Sequence, residues 1–248
     1  MKNWVWRGLR TGIKTTRYPH APEKAEGVTP GFPTSVRLEG SDEARALAEL
    51  CPTRALVADG EAVVWVEDSR CVHCRRCIRR EPQSPQAAWR DDYEWARLDK
   101  RPGAARFDER PFRGSLQVLV VDGGDCGACL SEIAQLSGPY YNLHRLGIFI
   151  TPSPRHADVM LVVGPVTANI RYALQRAYDA MPEPRRVMAV GACALSGGVF
   201  GPSFAADAGV SEVLPVDVVV PGCPPPPLAI LHALLVVTGR SMPPESPR

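Results

Sequence analysis

Eight cysteines carry most of the chemistry this sequence can offer, and they fall into two sets of four. Cys71, Cys74 and Cys77 recur at a spacing of three, and Cys51, followed by Pro52, stands upstream of them. Cys126 and Cys129 form a close pair, with Cys193 and Cys223 as distant singles. Thiolates are soft ligands that select zinc or iron–sulfur clusters. Zinc held by four thiolates ordinarily uses two close pairs. One pair plus two distant singles better suits a [4Fe–4S] cubane, which takes one sulfur at each corner iron. A zinc site stays open as the alternative for each set.

The elements that position the second set alternate between strand and helix. Apolar runs over Leu116–Val121, Val159–Val163, Val187–Val190 and Val216–Val220 end at Asp122-Gly-Gly124, Gly164-Pro165, Gly191 and Pro221-Gly222, as buried parallel strands do. Helical patterns fill the gaps over Thr167–Ala180 and Leu228–Val237, with Thr167 as a candidate N-cap. The expected fold class is therefore α/β, a parallel sheet covered on both faces. Sites in such sheets lie beyond the carboxyl ends of the strands. Cys126 and Cys129 follow the first strand, Cys193 the third and Cys223 the fourth.

The first set follows another logic. In C-x2-C-x2-C-x3-C-P, the fourth cysteine ligates the other cluster of a two-cluster ferredoxin. Cys71, Cys74 and Cys77 fill the first three positions, and Glu81-Pro82 stands at the fourth. Cys51-Pro52 is a fourth position whose own triplet falls on Ser41, Ala44 and Leu47. All four positions without sulfur belong to one cluster, and all four that kept it belong to the other. This predicts a small α+β ferredoxin-like domain with one [4Fe–4S] cluster on Cys51, Cys71, Cys74 and Cys77. Its hairpin is expected over Ala55–Val66, around Asp59-Gly60. His73, inside the triplet, is expected to face solvent. Arg70, Arg75, Arg76, Arg79 and Arg80 form either a potential-raising shell or a solvated docking face.

Composition fits this picture. The chain has 248 residues, 45% apolar and 23% charged, with a net charge of only +2, which implies no general attraction to nucleic acid or to membranes. Its 25 prolines gather in connectors. The expected division is an extended arm over 1–35, the ferredoxin-like block over 36–100, a linker over 101–114, the sheet domain over 115–240 and a tail over 241–248. No run of about 18 apolar residues is present to span a membrane. With no secretory h-region, the expected location is cytoplasmic, where cysteines more often do metal or redox work.

Five segments carry a family resemblance. They are Gly124-Asp-Cys126-Gly-Ala-Cys129-Leu-Ser-Glu132, Ser153-Pro-Arg-His-Ala-Asp158, Leu161-Val-Val-Gly-Pro-Val-Thr167, Gly191-Ala-Cys193 and Val220-Pro-Gly-Cys223-Pro224. In this order they resemble the small electron-transfer subunit of group 4 energy-converting [NiFe] hydrogenases, which is similar to the B subunit of respiratory complex I. The resemblance implies a flavodoxin-like fold and one [4Fe–4S] cluster on Cys126, Cys129, Cys193 and Cys223, facing a large catalytic subunit. Complex I B subunits carry adjacent cysteines at the first position, whereas Cys126-x2-Cys129 resembles the hydrogenase spacing; a quinone-reducing relative is the second reading. The N-terminal block is similar to the ferredoxin-like subunit of the same complexes, its arm matching over Thr11–Pro19. The implied protein is a peripheral subunit on the inner face of the cytoplasmic membrane. It has two [4Fe–4S] clusters, a hydrogenase-like or complex I D-like partner, indirect contact with membrane-arm subunits, and an external electron donor or acceptor.

Within that picture, Gly123, Gly124, Gly127, Gly191 and Gly222 are expected to bring backbone N–H groups to the sulfurs. Pro224 is expected to fix the last loop. Glu132 is a candidate proton relay, with a favourable helix N-terminal charge as the alternative. Arg155 and His156 are candidates for the cofactor interface. Two readings from other classes stay open: a zinc scaffold subunit, and a free-standing flavin reductase on a flavodoxin-like fold.

Overall fold

The computed structural model describes residues 3–79, 86–99, 112 and 114–241. Glu81, Pro82, Arg80 and nearly all of the expected linker and tail lie outside the described residues.

The larger layer is a six-stranded sheet. Its strands are β6 (Arg97–Leu98), β7 (Leu116–Asp122), β8 (Ile148–Ile150), β9 (Val159–Val163), β10 (Arg186–Val190) and β11 (Val218–Val220), ordered β6-β11-β10-β9-β7-β8. Five are parallel, and only β6 joins antiparallel, on β11. In chain order the parallel strands lie 2-1-3-4-5, a doubly wound arrangement with its switch point between β7 and β9.

Side-chain alternation explains why both faces are covered. Val159, Leu161 and Val163 pack with α3 (Ala128–Leu136) and α6 (Pro227–Val237), whereas Met160 and Val162 pack on the other face with Leu174 of α4 (Ala168–Asp179). Every residue of α6 is buried, as befits a helix apolar all round. A fifth helix, α5 (Ala192–Ser196), follows β10. Among the described residues no helix is long and apolar enough to cross a membrane.

The smaller block contains β2 (Val36–Arg37), α2 (Ser41–Glu49), β3 (Leu56–Ala58) and β4 (Val63–Val66), with sheet order β2-β4-β3. β3 and β4 form the expected hairpin, antiparallel with Leu56 opposite Val66. β1 (Phe32–Thr34) pairs antiparallel with β5 (Ala88–Arg90). Phe32 and Trp95 belong to the same core as Leu116 and α6, so the two blocks share one apolar interior.

Three expectations change here. Residues 1–35 are not simply extended: they open with α1 (Asn3–Thr11) and close with β1. β6, sequence-assigned to the smaller block, is an edge strand of the large sheet. Thr167 stands at the N-cap of α4 without a side-chain capping bond. Its backbone N–H is given to the Gly123 carbonyl instead, which ties the first strand's loop to the helix start.

Candidate metal centres

The sheet brings Cys126, Cys129, Cys193 and Cys223 together at its carboxyl edge. Cys126 and Cys129 sit at the β7–α3 junction, Cys193 opens α5 after β10, and Cys223 follows β11. Burial pushes the Cys129 thiol well above its ordinary range, with further repulsion from Asp125, Cys223, Cys193 and Cys126. Burial likewise raises Cys193 to about 11, with Cys223 and Cys126 as neighbours. All four sulfurs thus share one electrostatic neighbourhood. Cys126 is exposed and Cys129 buried, so the site opens to solvent on one side.

Backbone geometry clears space for the sulfurs. Gly191 has φ +93°, and a Cβ there would lie 2.7 Å from Cys129 Sγ. Gly198, at φ +60°, would set a Cβ 2.7 Å from Cys193 Sγ. The other predicted glycines serve differently. Gly124 is crowded by Thr167, Gly222 by Pro225, and Gly127 faces open space at the start of α3. The N–H groups of Gly124 and Gly127 are also already committed, to Asp122 Oδ1 at 2.8 Å and Asp125 Oδ2 at 2.9 Å, and that of Gly191 goes to the Val220 carbonyl at 2.8 Å. These glycines supply turns and clearance rather than free donors. Gly123 similarly gives its N–H to the Val163 carbonyl at 2.7 Å.

The first quartet is assembled locally. Cys51, Cys71, Cys74 and Cys77 line one cavity together with His73 and Trp89. Burial raises Cys71 to about 12 and Cys77 to about 11, and in both cases the other quartet thiols add repulsion. Here the backbone does donate to sulfur: the Ala55 N–H reaches Cys51 Sγ at 3.1 Å. The positions that lack sulfur have another use. Ala44 and Leu47 of α2 are fully buried in an apolar cluster with Leu56 and Val64, whereas Ser41 is exposed.

His73 does not face solvent. Its φ of +51° turns the ring inward, edge-on to Phe32 at 4.9 Å and to Trp95 at 5.2 Å. Neither ring nitrogen has a hydrogen-bond partner, and burial lowers the imidazole pKa to about 4. Of the arginines, Arg75 donates to the Pro30 carbonyl at 2.6 Å and lies over Trp89, while Arg70, Arg76 and Arg79 are exposed.

The two blocks meet between the quartets. A cavity of roughly 630 Å³ is lined by His73 and Arg75 from one side and by Cys223, Glu132 and Tyr141 from the other. Burial raises the half-buried Glu132 carboxyl. Ser196 Oγ, at the end of α5, donates to the Ser69 carbonyl at 2.8 Å, two residues before Cys71. Arg97 of β6 pairs with Asp68 beside it. Arg155 and His156 lie exposed on a short 3-10 turn. Sequence reasoning missed Gly198, Asp125 and the Ser196–Ser69 bond. The spacing of Gly198 from Cys193 was visible, but only the fold shows that the loop returns onto the sulfur.

Among the described residues no three His, Cys, Asp or Glu side chains group tightly enough to hold one metal ion. Four thiolates on one zinc stand within about 4 Å of each other, given Zn–S bonds near 2.3 Å. Sulfurs on a cubane bind separate corner irons and stand wider. The donor set of each quartet, all thiol with glycine clearance or N–H support at sulfur, fits an iron–sulfur cluster.

Comparison with known proteins places the second site in a family. The model for NADH ubiquinone oxidoreductase, 20 Kd subunit, matches residues 126–237, which include Cys126, Cys129, Cys193 and Cys223. An uncharacterized protein of Methanocaldococcus jannaschii, MJ0516, is 44% identical over 128 residues, 52% of this chain and 86% of that protein. The probable membrane-bound hydrogenase subunit mbhJ of Pyrococcus furiosus is 43% identical over 119 residues, 48% of this chain and 71% of that protein. Formate hydrogenlyase subunit 7 of Escherichia coli is 38% identical over 130 residues, 52% of this chain, which spans about half (51%) of that relative.

Proposed function

We propose that this chain, which belongs to the family of the NADH ubiquinone oxidoreductase 20 Kd subunit, holds two [4Fe–4S] clusters and relays electrons between them and a large catalytic subunit. The coarser role rests on kinship: relatives are subunits of hydrogenase and complex I-type assemblies, so the chain is an electron-transfer subunit of an oxidoreductase complex. One observation carries the finer reading. Four thiols from three separate loops converge at the carboxyl edge of a flavodoxin-like sheet, beside glycines whose side chains would strike the sulfurs.

A [4Fe–4S] cluster supplies one-electron transfer when bound. The chain's own residues do the rest. Cys126, Cys129, Cys193 and Cys223 hold the group that faces the catalytic partner, with Gly124, Gly127 and Gly222 shaping the loops. Cys51, Cys71, Cys74 and Cys77 hold the group that faces an external donor or acceptor, on a ferredoxin-like block. Exposed Arg70, Arg76 and Arg79 favour an acidic donor or acceptor there. Glu132, lining the cavity between the sites, is the candidate to carry a proton. The Cys126-x2-Cys129 spacing favours a hydrogenase-type catalytic partner over a quinone-reducing one. The kinship with a membrane-bound hydrogenase subunit supports peripheral placement; the cytoplasmic face follows from the sequence reading alone.

Anaerobic purification and counting of metal and sulfide tests this. The expected result is about eight iron and eight sulfide per chain, with broad visible absorption that dithionite bleaches. About four iron would remove one of the two sites, and a colourless zinc protein would remove both.

A further inference from the structure

We propose that α1 binds an anionic lipid surface, laying Val5, Trp6 and Leu9 into the interface with Arg7 and Arg10 among the headgroups. None of its residues is buried: Trp4 is 74%, Trp6 66% and Leu9 72% exposed, and Ile13 just beyond is 83% exposed. At 100° per residue, Val5 and Leu9 centre one stripe with Trp6 at its edge beside Arg10, and Arg7, Arg10, Asn3 and Thr11 make up the polar side. Trp4 stands at the border between the faces. Such a contiguous apolar exposure marks an interaction surface.

Charge decides the occupant. Lys2, Arg7, Arg10, Lys14 and Arg17 precede the first acidic residue, Glu23, whereas the whole chain is only +2. An apolar stripe with tryptophan, backed by unopposed cations, is the pattern of a helix lying in a bilayer interface rich in anionic lipid. The helix also stands clear on a fixed stem. Thr16 and Tyr18 are buried, the Thr16 N–H bonds to the Tyr140 carbonyl at 2.9 Å, and Arg145 Nη2 donates to the Tyr18 carbonyl at 2.6 Å. The proposal deepens the peripheral placement above by naming its anchor, and it is independent of cluster binding.

The test is flotation of the purified full chain with vesicles of mixed phosphatidylglycerol and phosphatidylcholine, against phosphatidylcholine alone. Binding is expected only to the anionic vesicles and is expected to weaken with salt. Trp6→Glu with Leu9→Glu should lower binding by more than about ten-fold, and Arg7→Gln or Arg10→Gln by roughly five-fold each. Unchanged melting of these variants shows that the body is intact. Quenching of the parent's tryptophan fluorescence by brominated lipid gives a second reading that needs no variant. A parent chain that floats with no vesicle and shows no quenching overturns the anchor. If that chain still fractionates with membranes through partner subunits, the peripheral placement stands without it. Equal flotation of the Glu variant, or binding to an acidic protein partner alone, also overturns the proposal.

Discussion

Three of the four thiols in the first quartet sit in one loop, from Cys71 to Cys77, with Cys51 close by in the chain. The second quartet draws on three loops between positions 126 and 223, held together by β7, β10 and β11. In the local site the backbone bonds directly to sulfur, through Ala55, and the nearby charge is arginine. In the sheet site the backbone bonds to carboxylates: Asp122 takes the N–H groups of Gly124 and Asp125, and Asp125 takes those of Gly127 and Leu130. Clearance there comes from glycine. The local site is thus specified by a loop, and the sheet site by the fold. Closing a short loop costs less chain entropy than closing three long ones, so the second site depends on the sheet's packing to exist at all.

Removing one sulfur from each site is the strongest way to break this comparison. Cys129→Ala is expected to lower iron by about half, leaving the local quartet loaded, and Cys71→Ala to do the converse. Iron counting with the reduced-state electron paramagnetic resonance spectrum checks both. Loss of nearly all iron from either variant would mean that the two quartets form one unit. Gly191→Ala sharpens the point. Its Cβ would lie 2.7 Å from Cys129 Sγ at a φ of +93°, so strain of about 1–3 kcal/mol falls on the sheet site alone. Iron should fall there, and the local site's spectrum should stay.

The difference between the sites also explains what could be seen in the sequence. Four of the five parallel strands were legible because each is a short apolar run closed by Gly or Pro; β8, only three residues long, was not among them. Their carboxyl ends put all four cysteines of the second quartet at one edge of the sheet. The ferredoxin-like spacing was legible because its ligands are local. What stayed hidden depends on contacts between distant segments. β6 is only two residues long and has no pattern of its own until β11 offers it an edge. His73 sits in a polar loop, and only the approach of Phe32 and Trp95 turns its ring inward. α1 lacked a buried face, so nothing in a core-based reading marked it off from an arm.

The seam between the sites gives a smaller effect. Ser196→Ala removes the bond to the Ser69 carbonyl, which costs about 1 kcal/mol and leaves iron unchanged in both sites. If the seam fixes their separation, magnetic interaction between the two reduced centres should change in that variant. An identical spectrum would make Ser196 a packing contact and nothing more.

The smallest effect tests whether the far end of the sheet reaches the metal end. Asp217 precedes β11, and its Oδ2 accepts the Val187 N–H at 2.8 Å. Burial raises its carboxyl above the ordinary value of 3.8; Asp99 and Glu183 add to the rise, and the Val187 bond and Arg186 oppose it. The folded chain therefore holds this proton more tightly than the unfolded chain. The contribution to stability is fully present below pH 3.8 and is lost as pH rises through the folded-state value. At neutral pH the ionised carboxylate weakens the fold. Asp217→Asn keeps an oxygen for the Val187 N–H and removes the charge. It should melt above the parent near neutral pH, with the gap closing as the pH falls below the carboxylate range. Thermal melts across that range, paired with iron counts, check it. Iron should not move, because Asp217 lies at the end of β11 opposite Cys223. A loss of iron from the sheet quartet would show that the fold transmits strain along the whole strand, and the site's dependence on the sheet would then extend beyond its carboxyl edge.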